Sequence, residues 1–326
     1  MQADKRFENM LGIVYAGQGS QRVGMGQDFY EKYDSFRETI DGATEAVKNV
    51  TDMDVAKLCF EGPEEQLSQT KYTQPAMVAF AIGVTKLLRE AGISADYTCG
   101  LSLGEYSALY EAGAIDEADV MELIAKRGKF MAEASEGLDV KMAAVMGADR
   151  ETVFECCDRA NAELQGEKIV QAANFNCPGQ IVISGDALAV DKASAYLKEA
   201  GARRIVPLKV SGPFHTSLMK PAGDKLAKEF KNIAFNEEQS KVVFNCLGRE
   251  KNDSEDIPTL LEKQVQSSVY LEDSIKYMVD AGVDTIIEIG PGKAISKFIN
   301  KTVDDVKVYS IDSVEDFENT VKELGA

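Results

Sequence analysis

The stretch CGLSLGEYSALYEAGA, residues 99–114, places Ser102 between two glycines. Residues 95–100 are a strand candidate before it, and a helical pattern follows it. Glycine inside a helix costs about 1 kcal/mol relative to alanine, so the two glycines favour a sharp strand-to-helix turn instead. The pentapeptide GLSLG, residues 100–104, matches the G-x-S-x-G nucleophile elbow, in which such a turn exposes a serine hydroxyl beside a helix N-terminus.

The pentapeptide also fits a simpler structure, in which Ser102 is the N-cap of a glycine-flanked helix. A nucleophilic serine needs a base, and the chain holds one histidine, His215, in KVSGPFHTSLMKP. A lone histidine more often caps a helix or packs in a core. His215 follows a predicted strand and a Ser-Gly-Pro turn, and such loops often carry catalytic groups. No single Asp or Glu stands out as a third member of a triad.

Composition excludes several classes of protein. The 326 residues are 44% hydrophobic and 28% charged, with a formal net charge of −18. This charge repels nucleic acid over most of the surface. No apolar run approaches the roughly 18 residues of a membrane span, and the charged start, MQADKRFENMLGIVYAG, lacks the features of a signal peptide. We expect a cytoplasmic protein without nucleic-acid or membrane partners.

The cysteines and the single histidine argue against metal or disulfide chemistry. None of the six cysteines forms a C-x-x-C pair, so a disulfide framework or a zinc site is not expected. One histidine cannot build a His-based metal cluster. We expect neither a metal nor a cofactor.

Short apolar runs alternate with amphipathic helical stretches, which predicts an α/β fold. The middle of the chain predicts the order βαββαβ, a split βαβ pattern of ferredoxin-like type, with strands at 141–147, 168–176, 179–186 and 203–210 and helices at 150–164 and 188–201. We expect a discontinuous large α/β domain, residues 1–136 and 208–326, with a small domain inserted at 137–207. Within the large domain, 214–230 is predicted to be helical and 241–245 to be a strand.

Six segments occur in a characteristic order: GQGSQ (17–21), GLSLGEYSAL (100–109), RGKFM (127–131), NFNCPGQIVISG (174–185), GPFH (212–215) and EIGPGK (288–293). Together they resemble the malonyl-CoA:acyl carrier protein transacylase family of bacterial type II fatty acid synthesis, over nearly the whole chain. The resemblance implies an α/β-hydrolase-like large domain with an inserted ferredoxin-like small domain.

The resemblance also implies roles for residues around the elbow. Ser102 is expected to attack the malonyl thioester and to carry the acyl group. His215 is expected to act as general base and then to protonate the leaving thiolate. The backbone carbonyl of Gln264 is implied to orient His215 in place of an acid, which makes a Ser-His dyad. The backbone N–H groups of Leu103 and Gln18 match the family's oxyanion donors.

Substrate selection is implied to depend on a second group of residues. Arg127 matches the family's binder of the malonyl carboxylate, for which a guanidinium gives a bidentate match; by itself it would be interpreted as part of a solvated basic face. Met131 lies four residues on, hence on the same helical face, and matches a residue of the acyl pocket. Phe214 favours malonyl, because its ring would crowd an α-methyl branch. Asn174 and Asn176 match a polar lining near the cleft.

The implied reaction is ping-pong transfer of malonyl from malonyl-CoA to the phosphopantetheine thiol of acyl carrier protein, by a monomer. An acidic carrier would need a local basic patch. Lys293, Lys297 and Lys301 follow an i, i+4, i+8 spacing, and Arg203 and Arg204 are a second candidate. A solvated lysine face explains the same spacing.

Two other functions remain open at this point. A thioesterase or esterase would use the same serine and histidine with water as the acceptor. A non-catalytic acyl-binding or scaffold protein would keep the elbow without using it.

Overall fold

Residues 10–325 are described by the structure, a computed structural model, and contain nine strands and fourteen α-helices. In chain order these are β1 (Met10–Tyr15), α1 (Gln27–Lys32), α2 (Asp34–Val47), α3 (Val55–Glu61), α4 (Glu64–Leu67), α5 (Thr70–Glu90), β2 (Tyr97–Gly100), α6 (Gly104–Glu111), α7 (Glu117–Ser135), β3 (Val140–Met146), α8 (Arg150–Glu163), β4 (Val170–Cys177), β5 (Gln180–Asp186), α9 (Ala187–Glu199), β6 (Arg204–Pro207), α10 (Lys220–Glu229), β7 (Lys241–Val242), α11 (Ile257–Val265), α12 (Leu271–Asp280), β8 (Val283–Ile289), α13 (Ala294–Thr302), β9 (Lys307–Ile311) and α14 (Val314–Leu324). The predicted mixed α/β fold is confirmed.

The larger sheet is parallel throughout, with the strand order β7-β2-β1-β8-β9. Its central strand, MLGIVY, is buried along almost its whole length, as expected of a strand covered on both faces by helices. Tyr15, Gly100 and Ile289 are register partners at the carboxyl ends of β1, β2 and β8. Ligand sites in parallel sheets form at this edge, and the serine elbow starts directly after Gly100.

The smaller sheet is antiparallel, with the order β4-β5-β3-β6. Its elements follow one another along the chain as βαββαβ, as the sequence predicted. Helices α8 and α9 bury their apolar sides on this sheet, so that Val153 and Leu197 share a core with Val145, Phe175 and Ile183. This core is separate from those around the parallel sheet.

Residues 268–270 attach the smaller sheet to the rest of the molecule. The N–H of Phe175 donates to the carbonyl of Val269 at 2.8 Å, and the N–H of Val269 donates to the carbonyl of Ala173 at 2.8 Å. The Tyr270 ring stacks on Phe175 with 5.1 Å between centroids. Strand β4 is therefore held against the segment that follows α11.

Three local predictions were wrong in extent. The strand predicted at 203–210 covers only Arg204–Pro207. The strand predicted at 241–245 ends at Val242, because the chain turns at Phe244, whose N–H donates to the carbonyl of Arg249. The helix predicted at 214–230 begins as α10 only at Lys220. His215 has a φ of 58°, which a right-handed helix cannot contain.

Within residues 10–325 no helix is both long enough and apolar enough to cross a membrane. The same part of the chain holds no group of three or more His, Cys, Asp or Glu side chains placed to bind a metal ion. All six cysteines are buried free thiols.

Candidate active site

The serine elbow connects β2 to α6 and depends on two close backbone approaches. A Cβ on Gly100 would lie 2.0 Å from the carbonyl carbon of Gly104, and a Cβ on Gly104 would lie 2.5 Å from the carbonyl oxygen of Tyr15. Any larger residue at either position would force the turn open. Ser102, between them, has a φ of 56°, a left-handed conformation that is strained for a residue with a side chain.

The hydroxyl of Ser102 meets the only imidazole of the chain. Ser102 Oγ lies 2.7 Å from His215 Nε2, and His215 Nδ1 lies 2.9 Å from the carbonyl oxygen of Gln264. A carbonyl can only accept, so Nδ1 carries a proton and donates to it. Nε2 of the neutral ring is then free to accept the serine proton. The geometry is that required of a nucleophile, a base and a group that orients the base.

The surroundings keep the imidazole of His215 neutral. Burial and, as a smaller cause, the nearby positive charge of Arg127 lower the pKa of His215 to about 4. The Gln264 carbonyl acts against this, because it stabilises the protonated ring. At neutral pH the ring is therefore available as a base.

Arg127 on α7 brings a buried cation to the same hydroxyl. Its Nη2 donates to Ser102 Oγ at 3.0 Å and to Gln264 Oε1 at 2.9 Å, and its Nη1 donates to Gln74 Oε1 at 2.7 Å. The Arg127 side chain is fully buried, and it forms no ion pair with any carboxylate of residues 10–325. A buried, unpaired guanidinium is costly unless a ligand neutralises it, and a carboxylate matches its planar fork.

Gln264 contributes more than its backbone carbonyl. Besides accepting from Arg127, its side-chain amide donates from Nε2 to the carbonyl oxygen of Ser102 at 2.7 Å. One residue of α11 therefore contacts the nucleophile, the base and the cation, and fixes their relative positions.

The Ser102 cleft, a cavity of about 150 Å³, opens between the two sheets. Its lining residues are Gln18, Gln74, Leu101, Ser102, Met131, Met142, Asn174, Asn176, Val182, Leu208, Val210, Phe214 and His215. Met131 and Phe214 are thus in the cleft with the dyad, as are both asparagines. The side-chain amide of Gln74 also lies 3.4 Å from Met131 Sδ.

Of the two backbone groups implied as oxyanion donors, one lies within the elbow and the other in a separate loop. Leu103 directly precedes α6, and Gln18 lies in the loop after β1. Within residues 10–325 neither backbone N–H has a hydrogen-bond acceptor, so both are free to donate to a ligand. The side chain of Gln18 is held in place separately, because its Nε2 donates to Thr70 Oγ1 at 3.1 Å.

The basic residues suggested as a docking patch lie outside the cleft. Lys297 and Lys301 are exposed on α13, and Lys293 precedes that helix, 3.7 Å from Asp316. Arg203 and Arg204 are exposed at the start of β6. The two groups are on different elements.

Three residues that form hydrogen bonds in or next to the site were not predicted from the sequence: Gln74, Glu105 and Asn245. Glu105 is fully buried on α6, and burial raises its pKa to about 8. An acid inside the apolar helix GEYSALYE could have indicated it. Asn245 follows the carboxyl end of β7, where parallel sheets place ligand sites, and that position was the available signal.

Residues 13–319 match the acyl transferase domain family. The chain is 39% identical over 314 residues to the malonyl CoA-acyl carrier protein transacylase of Bacillus subtilis, covering 96% of this chain and 97% of that protein. The crystal structure of malonyl CoA-acyl carrier protein transacylase from Clostridium perfringens superimposes with a TM-score of 0.90, at 40% identity, covering 97% of each chain.

A further structure, described as a type II PKS acyl-carrier protein in complex with its malonyl-transacylase, matches with a TM-score of 0.91 at 34% identity. The match covers 97% of this chain and 100% of that one. These similarities confirm the resemblance drawn from the six sequence segments. The chain belongs to the acyl transferase domain family and, within it, to the malonyl-CoA:acyl carrier protein transacylases.

Proposed function

We propose that this chain transfers the malonyl group from malonyl-CoA to the phosphopantetheine thiol of acyl carrier protein, through an ester on Ser102. The observation that carries the proposal is the meeting of two groups at one serine oxygen. Ser102 Oγ lies within hydrogen-bond distance of both a neutral histidine and a buried, unpaired guanidinium. A serine esterase needs the first contact, whereas a cation at the nucleophile suits an acyl group that carries its own carboxylate.

In the first half-reaction Ser102 Oγ attacks the thioester carbonyl while its proton passes to His215 Nε2. The carbonyl oxygen gains negative charge and accepts from the N–H groups of Leu103 and Gln18. The carbon–sulfur bond then breaks, and the proton on His215 passes to the departing sulfur, which leaves as CoA thiol. The carbonyl of Gln264 stabilises the imidazolium that exists between these two transfers.

Arg127 binds the free carboxylate of the malonyl group in both half-reactions. Because the Arg127 charge lowers the pKa of His215, a bound carboxylate that offsets this charge makes the imidazole a stronger base. The correct substrate therefore supports its own acylation step. Met131 and Phe214 limit the room beside the malonyl methylene, which favours malonyl over branched acyl groups.

The second half-reaction reverses the first, with a different thiol. The carrier's thiol gives its proton to His215 Nε2 and attacks the ester carbonyl, and the released Ser102 oxygen takes the proton back. An acidic carrier would dock on exposed cations, for which Lys297 and Lys301 on α13 are one candidate surface and Arg203 and Arg204 another. The relative with an acyl-carrier protein bound supports docking of this class of partner.

We propose a monomer as the active form. Ser102, His215, Gln264 and Arg127 all come from one chain and contact one another within it. A second subunit is not needed to complete the site.

We also propose the finer division of the fold. The βαββαβ chain order and the β4-β5-β3-β6 sheet order support a ferredoxin-like small domain at 137–207. The strand–elbow–helix unit on a parallel sheet supports an α/β-hydrolase-like large domain at 1–136 and 208–326. Residues 1–9 and 326 of that domain lie outside the described part of the chain.

Transfer is tested with malonyl-CoA labelled in the malonyl group and a holo acyl carrier protein. We expect label to appear on the carrier thiol faster than free malonate appears in solution. Malonate release with no label on the carrier would indicate a hydrolase. Label retained only non-covalently would indicate an acyl-binding protein.

A further inference from the structure

The backbone at Ser102 is strained, so its surroundings must hold it in place. The strained residue has two backbone polar groups, and each has a side-chain partner from a distant element. The carbonyl oxygen of Ser102 accepts from Gln264 Nε2 at 2.7 Å, and the N–H of Ser102 donates to Asn245 Oδ1 at 2.8 Å. Gln264 already has a role, because its carbonyl orients His215, whereas Asn245 has no role in the reaction described above.

The side-chain amide of Asn245 makes two hydrogen bonds to the first half of the elbow. While Oδ1 accepts from the N–H of Ser102, Nδ2 donates to the carbonyl of Gly100 at 2.6 Å. The two bonds fix the orientation of the amide, because the flipped amide would set donor against donor and acceptor against acceptor. One planar group thus spans the backbone from Gly100 to Ser102.

Asn245 is itself held by its own backbone. Its N–H donates to Glu105 Oε2 at 2.6 Å, and its carbonyl accepts from the N–H of Tyr270 at 2.8 Å. The side chain is 1% exposed. All four polar groups of Asn245 are therefore used, and they connect the elbow to α6 and to the segment that pairs with β4.

Neither aspartate nor alanine at position 245 could make both of these hydrogen bonds. Aspartate has two acceptors, one of which would face the carbonyl of Gly100 without a proton to share. Alanine has neither a donor nor an acceptor, so it would leave the N–H of Ser102 and the carbonyl of Gly100 unpaired in a buried place. An amide supplies one donor and one acceptor at the required spacing.

We propose that Asn245 is a positioning residue for the acylation step: it holds the backbone from Gly100 to Ser102 so that Ser102 Oγ stays aligned with His215. The inference rests on the proposed function, because acylation of Ser102 is the step that it affects. The residue acts through the backbone of Ser102 and does not need to contact the substrate.

The test compares Asn245→Ala with a matched control, Asn161→Ala. Asn161 on α8 makes the same kind of hydrogen-bond pair far from the elbow, with Oδ1 accepting from the N–H of Val170 at 2.8 Å and Nδ2 donating to its carbonyl at 3.0 Å. Each variant is measured by rapid-quench acylation with malonyl-CoA and by the rate at which a fluorophosphonate labels Ser102. The second readout uses no acyl substrate.

We expect Asn245→Ala to reduce both rate constants by about 10- to 100-fold, the size of effect typical of a misplaced reacting group, with KM for malonyl-CoA within about threefold of wild type. Asn161→Ala should stay within about twofold in both rates, even where its melting temperature falls. If Asn245→Ala does not fold, the equally sized Asn245→Asp replaces it, with at least about a tenfold loss expected.

Rates for the folded Asn245 variant within about twofold of the Asn161→Ala values would overturn the proposal. That result would leave malonyl transfer by the wild type intact. Conversely, a wild type that reacts with the fluorophosphonate but not with malonyl-CoA would contradict the proposed function, while the fluorophosphonate rates would still decide the role of Asn245.

Discussion

The two sheets contribute to the Ser102 cleft in different ways. At the edge of the parallel sheet, Ser102 has a φ of 56° on its elbow, and His215, in a neighbouring loop, has a φ of 58°. The antiparallel sheet supplies Met142, Asn174 and Val182, which lie within strands β3, β4 and β5. The two proposed reacting groups therefore lie on backbone with a positive φ, and these three lining residues do not.

The difference follows from what each side must do. A nucleophile and its base must be aligned within tenths of an ångström, and the strained positions are held by hydrogen bonds from Gln264 and Asn245. A lining surface only has to exclude water and fit the acyl chain, for which alternate residues of a strand are sufficient. Substitutions on the two sheets should therefore differ in kind as well as in size.

The largest contrast should come from two serines, one on each side. Ser102→Ala should reduce malonyl transfer by at least about 10⁴-fold, because the ester cannot form. Ser184→Ala, at a fully buried position on β5, should stay within about twofold. Steady-state transfer assays on folded protein, checked by circular dichroism, measure both. Comparable losses in the two variants would remove the distinction between the sheets.

Two arginines give the next contrast. Arg127→Ala should reduce malonyl transfer by about 10²- to 10³-fold and acetyl transfer far less, because only malonyl has a carboxylate to bind. Arg150→Ala removes a guanidinium that lies over Phe175 and pairs with Asp273, so it should lower the melting temperature without altering the malonyl-to-acetyl ratio. An equal fall in both acyl transfers in Arg127→Ala would contradict the carboxylate assignment.

The free energy of unfolding should depend on pH because of Glu105, which is buried on α6. The pKa of Glu105 is raised from 4.5 to about 8 by burial, so between these values the native chain binds more protons than the unfolded chain. Stability from this group therefore falls as pH rises, by at most about 1.4 kcal/mol per pH unit. Glu105→Gln should remove this dependence. Urea unfolding at pH 5.5 and 7.5 should show the variant gaining relative to wild type; parallel changes would argue against a buried neutral acid.

The smallest effect should come from the lining. Asn176 is buried beside the cleft, and its Oδ1 has no partner within residues 10–325. Because this oxygen is free to accept a hydrogen bond from the bound substrate, Asn176→Ala should raise KM for malonyl-CoA by about 3- to 10-fold and leave kcat nearly unchanged. A loss mainly in kcat would contradict this prediction and would indicate that Asn176 helps to set the geometry of the reacting groups.

How far the sequence predicts the molecule depends on how local each feature is. The elbow could be predicted because five adjacent residues encode it, and His215 because the chain has no other imidazole. The contacts of Arg127 with Gln74 and Gln264 could not be predicted from spacing, because three separate helices bring them together. Asn245 was missed for the same reason. It lies beside Gly100 because β7 pairs with β2, although the two residues are 145 positions apart in the sequence.

Intact-protein mass spectrometry after brief exposure to malonyl-CoA tests the malonyl-serine intermediate most directly. The expected result is a mass increase of one malonyl group per chain, located at Ser102 by peptide mapping, absent in Ser102→Ala and lost when holo carrier is added. CoA release without a covalent adduct, or an adduct that persists in Ser102→Ala, would contradict it.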